Sequence, residues 1–372
     1  MNMNFDYMQP VKIHFGKGKI NVLKELIKDY QGQGLLICDH IFTQNGKAKA
    51  IMQMCPQLAY VYDEVSPNPD VSEADACNAL IRTHHLQFIV AMGGGSTMDC
   101  AKVAGTISLT NDPVSKYHGT GLALPARDLP LIAIPTTAGT GSEVTCAAVL
   151  TNREIGKKAP INSDNFYPEH AIIDPELTYT IPPQVTANTG MDVLCHALEG
   201  FWSKGHQPIC DMFAKRALEL VFAYLLPCYD HPEDEEAREK MCEASLYAGL
   251  AFSIPKTTSS HACSFPLTNL YGIPHGEACA LTIDHFALIN AKCKDQRLVT
   301  LAKELGFSSV DDMALRIHQM KVAMHMRTNL KDLSLTDEQI NDLITISHHP
   351  NLYNNPIDIT DDMLREMYNA ML

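Results

Sequence analysis

Short apolar runs alternate with helical patterns through the first half of the chain, and this alternation stops near residue 181. The helical patterns lie near residues 19–30, 71–85 and 96–110. The apolar runs are rich in β-forming residues and predict strands at 11–15, 35–39, 59–63, 87–92, 131–135, 144–150 and 170–174. Such alternation is typical of a parallel sheet covered by helices.

Only helical patterns follow Ile181-Pro182-Pro183, which we interpret as a domain junction. The first four helices are predicted at 186–203, 207–227, 234–251 and 256–270, and more follow to the end. Thr336 with Gln339 fits a capping box, and Thr360 precedes two acidic residues as an N-cap would. At roughly 150 residues per domain the length suits two domains. We therefore predict an α/β domain at 1–181 and an all-helical domain at 182–372.

Composition narrows the class of protein and its compartment. Hydrophobic residues make up 46% of the chain, as in globular proteins, and the net charge of −14 disfavours binding to nucleic acid or anionic membranes. The N-terminus has no signal-peptide pattern, and no apolar run approaches the ~20 residues of a membrane span. The twelve cysteines are scattered without a C-x-x-C pair, so we expect reduced thiols and a cytoplasmic protein.

A glycine-rich loop lies between a predicted strand and a predicted helix. Gly93-Gly94-Gly95-Ser96 would let the backbone approach a ligand closely, and the helix start beyond it suits a pyrophosphate. The pattern is not G-x-G-x-x-G, and a tight strand–helix turn is the alternative. A second small, polar loop at 136–143 also follows a predicted strand. Ligands bind at this end of open α/β sheets, so the two loops together indicate a nucleotide site.

Asp39 ends another predicted strand, LLICD. An acidic residue at this place in a dinucleotide fold can bind a ribose 2′-hydroxyl and repel a 2′-phosphate. It would then favour NAD over NADP. The alternative is an aspartate that simply starts a turn.

One predicted helix carries a candidate metal site. Asp192 and His196 are four residues apart and so share a helix face, among apolar neighbours. A plain Asp–His hydrogen bond would also account for this pair. With His261 and His275 they would form an Asp-His-His-His set suited to Fe(II) or Zn(II), between which spacing does not choose.

Several ordered motifs together resemble the iron-containing (group III) alcohol dehydrogenases, relatives of glycerol dehydrogenase and dehydroquinate synthase. The motifs are GGGSTMD (93–99), IPTTAGTGSE (134–143), DPELT (174–178), TGMDVLCHALE (189–199) and GIPHGEA (272–278). The resemblance implies the dehydroquinate synthase-like fold, with a dinucleotide-binding α/β domain, an all-α domain and an active site in the cleft between them. It also implies a homodimer.

The resemblance assigns roles to individual residues. It implies that the metal ligands are Asp192, His196, His261 and His275. It implies cofactor contacts from Asp39, Gly94, Gly95, Ser96, Asp99, Thr136, Thr137, Ser142 and Lys158. Lys158 could otherwise be an ordinary surface lysine.

The chain departs from the family at one position. Many members have a second histidine four residues after the third ligand, where it can relay protons, and here that position is Phe265. The variant segment SSHACSFPLTNLYGIPHGEACALT resembles the phosphonoacetaldehyde reductases, a sub-branch that forms 2-hydroxyethylphosphonate. Candidate contacts to a phosphonate are Lys256, Ser259, Ser264, Thr268 and Asn269.

The predicted function is hydride transfer between a nicotinamide cofactor and a small aldehyde or primary alcohol, assisted by a metal ion (EC 1.1.1.-). The resemblance to the sub-branch implies phosphonoacetaldehyde as the substrate. The alternative is a general short-chain alcohol dehydrogenase of the butanol, lactaldehyde or semialdehyde type. Two further alternatives are a lyase of the dehydroquinate synthase type, in which NAD is recycled internally, and a sensor that binds NAD and metal without catalysis.

Overall fold

The computed structural model describes residues 4–126 and 129–372, which form two compact units. One unit comprises residues 8–137 and 141–179. The other comprises residues 138–140 and 180–372 together with residues 4–7.

The first unit is built on strands and short helices. Its strands are β1 Lys12–Phe15, β2 Gly34–Cys38, β3 Leu58–Tyr62, β4 Phe88–Gly93, β5 Leu131–Pro135, β6 Ala147–Asn152, β7 Lys157–Asn162 and β8 His170–Ile173. Its helices are α1 Leu23–Leu26, α2 His40–Gln44, α3 Lys47–Met54, α4 Val71–His84 and α5 Gly95–Ile107.

Six strands form one parallel sheet in the order β1-β8-β5-β4-β2-β3. Side chains of β2 alternate between two apolar cores, with Leu35 and Ile37 on one face and Leu36 and Cys38 on the other. The chain passes from β2 to β3 on one side and then returns to β4 on the other side of β2. Ligands bind at such a topological switch point, beyond the carboxyl ends of the strands.

The predicted strands are all present, but three details differ from expectation. β6 pairs with β7 as an antiparallel hairpin, and β7 was not predicted. Its run KKAPIN has lysine and proline where the strand pattern calls for β-formers. Helices α2 and α3 were also missed, and the pattern at 19–30 forms only α1 between 3₁₀ turns.

The second unit is all helical, as predicted. Its helices are α6 Pro183–Trp202, α7 Pro208–Asp230, α8 Glu235–Phe252, α9 Ser259–Tyr271, α10 His275–Asn290, α11 Arg297–Glu304, α12 Val310–Ala323, α13 Asp337–Ser347, α14 Pro350–Tyr353 and α15 Asp361–Ala370. The capping box of Thr336 and Gln339 and the N-cap of Thr360 are both formed. Helix α6 is buried along most of its length because its apolar residues occupy nearly every face.

All twelve cysteines are free thiols, and each is buried except Cys293, which is partly exposed. No helix within the described residues has the length and apolar character needed to cross a lipid bilayer.

Candidate functional site

Three consecutive turns of α6 place Asp192, His196 and Glu199 on one buried face, because these residues follow each other at four- and three-residue intervals. His196 Nδ1 lies 3.8 Å from Asp192 Oδ2. The ring of His196 stacks on Phe252, with 4.1 Å between centroids. The pair predicted from sequence is therefore interior, and no direct Asp–His hydrogen bond joins it.

Helices α9 and α10 bring the other two predicted ligands to this pair. His261 Nε2 lies 3.5 Å from Asp192 Oδ1 and 3.1 Å from His196 Nε2. The rings of His261 and His275 are 5.4 Å apart, edge to face. Asp192, His261 and His275 thus come together in the helical unit, and His196 adjoins them through Asp192 and His261.

The converging atoms fit a metal ion. Asp192 Oδ1 and His196 Nδ1 are buried without a hydrogen-bond partner, a costly state that a cation would relieve for the carboxylate. One donor atom each of Asp192, His261, His275 and Cys279 lies within 4.8 Å of the others. Carboxylate, imidazole and thiol donors together suit Fe(II) or Zn(II).

Cys279 was missed by the sequence reasoning. Its sulfur lies 3.8 Å from His275 Nε2, one turn further along α10. The four-residue spacing between His275 and Cys279 was a usable signal, since it places both side chains on one helix face.

The electrostatics of the cluster favour a bound cation. Burial opposes ionisation of Asp192, but the imidazoles of His196, His275 and His261 outweigh it and hold the pKa of the carboxyl well below its usual range. Burial also lowers the pKa of His196 to about 4, against the pull of Asp192. For Asp192 and His196 these shifts give the protonation states that metal binding requires. For His261, burial is outweighed by the neighbouring Cys279 and Glu199, which raise the pKa of this imidazole, so it releases a proton when it binds a metal.

In the strand-containing unit, Asp39 is tied to the glycine loop. Its Oδ2 accepts from the Gly94 N–H at 3.2 Å, and its Oδ1 accepts from the Thr97 hydroxyl. A Cβ on Gly93 would lie 2.5 Å from Asp39 Oδ1, so only glycine fits there. Asp39 therefore braces the loop that follows β4, a contact the sequence did not indicate.

Asp99 and Ser142 join the two predicted loops directly. The Ser142 hydroxyl donates to Asp99 Oδ1 at 2.6 Å, and the Val149 N–H donates to Asp99 Oδ2 at 2.8 Å. The fully buried Lys102 donates to Ser142 Oγ at 2.7 Å. Lys102 was missed, although its place one turn after Asp99 on α5 could have revealed it.

The remaining predicted cofactor residues surround the same loop. Asn68 N–H donates to Ser96 Oγ at 3.3 Å, and Lys158 Nζ donates to Asn68 Oδ1 at 2.7 Å. Asn68 was not predicted, yet it links these two residues from a left-handed backbone conformation. Thr136 N–H donates to Gly93 O, Thr137 Oγ1 lies 3.6 Å from the position of a Cβ on Gly94, and Gly95 begins α5.

Family models match both parts of the chain: "Iron-containing alcohol dehydrogenase" over residues 10–175 and "Fe-containing alcohol dehydrogenase family, C-terminal" over residues 186–372. Alcohol dehydrogenase 4 of Schizosaccharomyces pombe is 32% identical over 96% of this chain and 87% of its own length. The chain belongs to the iron-containing alcohol dehydrogenase family. It is accordingly an oxidoreductase that acts on alcohols and aldehydes, as predicted.

Two further relatives place the chain within this family. The 1,3-propanediol dehydrogenase of Citrobacter freundii is 33% identical over 90% of this chain and 89% of its own length. A crystal structure of sulfoacetaldehyde reductase from Bifidobacterium kashiwanohense in complex with NAD+ superposes with a TM-score of 0.97. That protein is 57% identical to this one, and the match covers 100% of this chain and 99% of the other.

Phe265, the departure from the pattern of many family members, packs beside His275 of the candidate metal site. Its ring is nearly parallel to that of His275 at 6.5 Å and meets His349 edge-on at 4.9 Å. An aromatic hydrocarbon ring neither ligates a metal nor moves a proton. It leaves an apolar wall beside His275.

Three of the five predicted phosphonate contacts make hydrogen bonds within the helical unit. Ser259 Oγ donates to Asn355 Oδ1, Ser264 Oγ donates to the His261 carbonyl, and Lys256 Nζ donates to the Ser253 carbonyl. Thr268 Oγ1 is buried without a hydrogen-bond partner, and Asn269 is exposed. Thr268 alone among these candidates combines burial with an unpaired hydroxyl.

Proposed function

We propose that this enzyme uses NADH and a metal ion to reduce a short aldehyde that carries a sulfonate group, with sulfoacetaldehyde as the substrate. The observation that supports it is the 57% identity, over the whole chain, to a sulfoacetaldehyde reductase bound to NAD+. Sulfonate and phosphonate are both tetrahedral oxyanions. Phosphonoacetaldehyde, suggested by the sequence around His261, is therefore the second candidate.

The metal would be held by Asp192, His196, His261 and His275, with the Cys279 thiol beside them. When bound, it supplies a Lewis acid that polarises an aldehyde oxygen. Iron agrees with the family, and zinc suits the same ligands. The apolar rings of Phe252 and Phe265 lie beside His196 and His275, so the proposed metal site has an apolar border at these two residues.

The reaction balances as an aldehyde, NADH and one proton giving a primary alcohol and NAD+. Hydride passes from the nicotinamide to the carbonyl carbon, and the oxygen takes a proton. Because Phe265 stands where many family members have histidine, the proton must come from water, the ribose hydroxyls or another side chain.

Cofactor binding is proposed for the loops around β4 and β5. Gly94, Gly95 and Ser96 at the start of α5 would face the pyrophosphate. Asp99, Thr136, Thr137, Ser142 and Lys158 would complete the nucleotide site. The Asp39 carboxylate would repel a 2′-phosphate, so we propose NAD rather than NADP as the cofactor.

The test is a panel of aldehydes with NADH and purified, metal-loaded enzyme. We expect kcat/KM for sulfoacetaldehyde to exceed that for propionaldehyde, an uncharged aldehyde of similar length, by at least about 100-fold, which corresponds to ~2.7 kcal/mol of anion recognition. Phosphonoacetaldehyde in the same panel separates the two anionic candidates. Equal use of propionaldehyde and sulfoacetaldehyde would contradict the anionic substrate.

The same assay addresses the other classes of function. A lyase of the dehydroquinate synthase type would cause no net loss of NADH absorbance, whereas a reductase consumes NADH steadily. A sensor without catalysis would turn over none of the panel. The intact set of metal-binding side chains supports the reductase.

We further propose a cytoplasmic homodimer with a nucleotide domain at 1–181 and a metal domain at 182–372. Reduced thiols throughout the chain support the cytoplasmic assignment. The dimer is supported by the resemblance stated above. Light scattering on a sizing column should give twice the 41.1 kDa chain mass, and a monomer mass would contradict it.

A further inference from the structure

We infer that Glu199 is a positioning residue: it holds the imidazole of His261 in the tautomer and orientation that ligate the metal. The inference rests on the proposed metal centre. Glu199 lies on α6, one turn after His196, and its side chain is fully buried. A buried carboxylate requires compensating donors.

The contacts of Glu199 supply those donors from the start of α9. Glu199 Oε1 accepts from the Ser260 N–H at 2.7 Å, the Thr258 hydroxyl at 2.8 Å and the His261 N–H at 3.4 Å. Its Oε2 accepts from His261 Nδ1. The N-terminus of a helix favours an anion, so the carboxylate also anchors α9 against α6.

The consequence for His261 is a defined tautomer of its neutral, metal-binding form. A carboxylate can only accept a hydrogen bond, so Nδ1 carries a proton, and the neutral imidazole that ligates a metal then has its lone pair on Nε2. Nε2 is the atom that faces Asp192 and His196. A carboxylate behind a ligating histidine fixes its ring and raises its basicity toward a metal.

The hydrogen-bond chain extends to the only tryptophan in the protein. The Trp202 indole N–H donates to Thr258 Oγ1 at 2.7 Å, and Thr258 in turn donates to Glu199. The Thr258 hydroxyl therefore accepts from Trp202 with its oxygen and donates its single proton to Glu199. This arrangement fixes the position of Glu199 Oε1.

Glu199→Gln separates positioning from packing. Three donors surround Oε1, so the amide oxygen must occupy that position and the amide NH2 must face His261 Nδ1. The NH2 group donates, which forces Nδ1 to accept and moves the ring proton to Nε2. The isosteric variant therefore preserves the shape and most hydrogen bonds but presents the wrong tautomer to the metal.

The experiment measures the affinity of full-length protein for Zn(II) and Co(II) by competition with a chromogenic chelator, without substrate. We expect Glu199→Gln to bind about 10- to 100-fold more weakly than wild type, the usual effect of removing an outer partner of a ligating histidine. Glu243→Gln is the matched control, because Glu243 pairs with Arg216 and Lys240 on the same helical unit, and it should bind as wild type does. Circular dichroism confirms that each variant is folded.

The outcomes distinguish this inference from the proposed function. If wild type binds no metal, or binds it equally well after Asp192→Ala, the metal centre itself is wrong. If wild type binds through Asp192 and Glu199→Gln binds within twofold of it, the positioning role is wrong. Should Glu199→Gln fail to fold, ¹⁵N-histidine spectra of zinc-loaded wild type decide the matter: a protonated Nδ1 on His261 supports the inference, and a protonated Nε2 overturns it.

Discussion

Asp39 has one observed role and one proposed role. Its carboxylate braces the glycine loop through Gly94 and Thr97, and its charge would also repel a cofactor 2′-phosphate. A variant that removes the whole side chain therefore changes both properties at once. Asparagine separates the two, because it has no charge while its oxygen can accept from the Gly94 N–H and its NH2 group can donate to the Thr97 hydroxyl oxygen.

We expect Asp39→Asn to raise the ratio of kcat/KM for NADPH to that for NADH about tenfold, the equivalent of ~1.4 kcal/mol of relieved repulsion. Steady-state kinetics with both cofactors measure the ratio. Thr97→Val is the control, since it removes one loop hydrogen bond and leaves the charge. If Thr97→Val shifts the ratio equally, charge is not the determinant.

Single ligands of the metal cluster provide a second prediction at this scale. His261→Ala and Asp192→Ala should each lower metal affinity by more than about 100-fold and abolish turnover. The loss should exceed that expected for Glu199→Gln, because each variant removes a proposed ligand itself. Elemental analysis after dialysis measures the metal content. The control is His231→Ala, which alters an exposed histidine of the same unit and should retain both the metal and the activity. Full activity in metal-free wild type would contradict the mechanism.

At the scale of elements, the packing of α10 on α6 sets the spacing of the proposed metal-binding side chains. Gly276 follows His275 at the start of α10, and a Cβ there would lie 2.0 Å from the Asn188 carbonyl and 3.3 Å from Asp192 Cβ. Helix propensity alone would favour alanine over glycine by ~1 kcal/mol. The close approach of the α10 and α6 backbones opposes alanine at this position, because its Cβ would overlap the Asn188 carbonyl.

Gly276→Ala should therefore destabilise the protein by about 1–3 kcal/mol, as overpacking does, and weaken metal binding as well. Denaturant unfolding and chelator competition measure the two effects. Leu288→Ala, at an exposed position of the same helix, should change neither appreciably. A stabilised Gly276→Ala protein would show that α10 shifts freely.

Much of this architecture was predictable from periodicity, because strands such as β2 and β4 are buried runs between amphipathic helices. Strand β7 was not predictable in this way, because its lysines and proline are poor β-formers and the strand is specified by its pairing with β6. The proposed ligands Asp192 and His196 could be paired through helix spacing. Glu199 and Thr258 could not be joined from sequence, because a hydrogen bond between α6 and the start of α9 leaves no local pattern.

At the scale of the whole molecule, the ionisation of the buried Glu143 carboxyl should change the free energy of unfolding with pH. Burial raises the pKa of Glu143, in the loop after β5, from 4.5 to about 7. Between these values the folded chain keeps a proton that the unfolded chain has released. The contribution of Glu143 to the free energy of unfolding is therefore fully present below pH 4.5 and is lost as the pH rises through 7.

The expected loss is on the order of 3 kcal/mol. Urea unfolding at pH 5 and pH 8 should show it in wild type and show a smaller decline in Glu143→Gln. Glu154→Gln, an exposed carboxyl in the same unit, should decline as wild type does. An identical pH dependence in all three proteins would exclude Glu143 as the source.

The burial of every cysteine but Cys293 has a practical consequence. In native buffer a maleimide dye should attach to one site near the end of α10, whereas the denatured chain would accept twelve. A fluorophore could thus be placed on the helical unit without engineering. The number of labels per chain, read by mass spectrometry, would also report what fraction of an enzyme preparation has lost its fold.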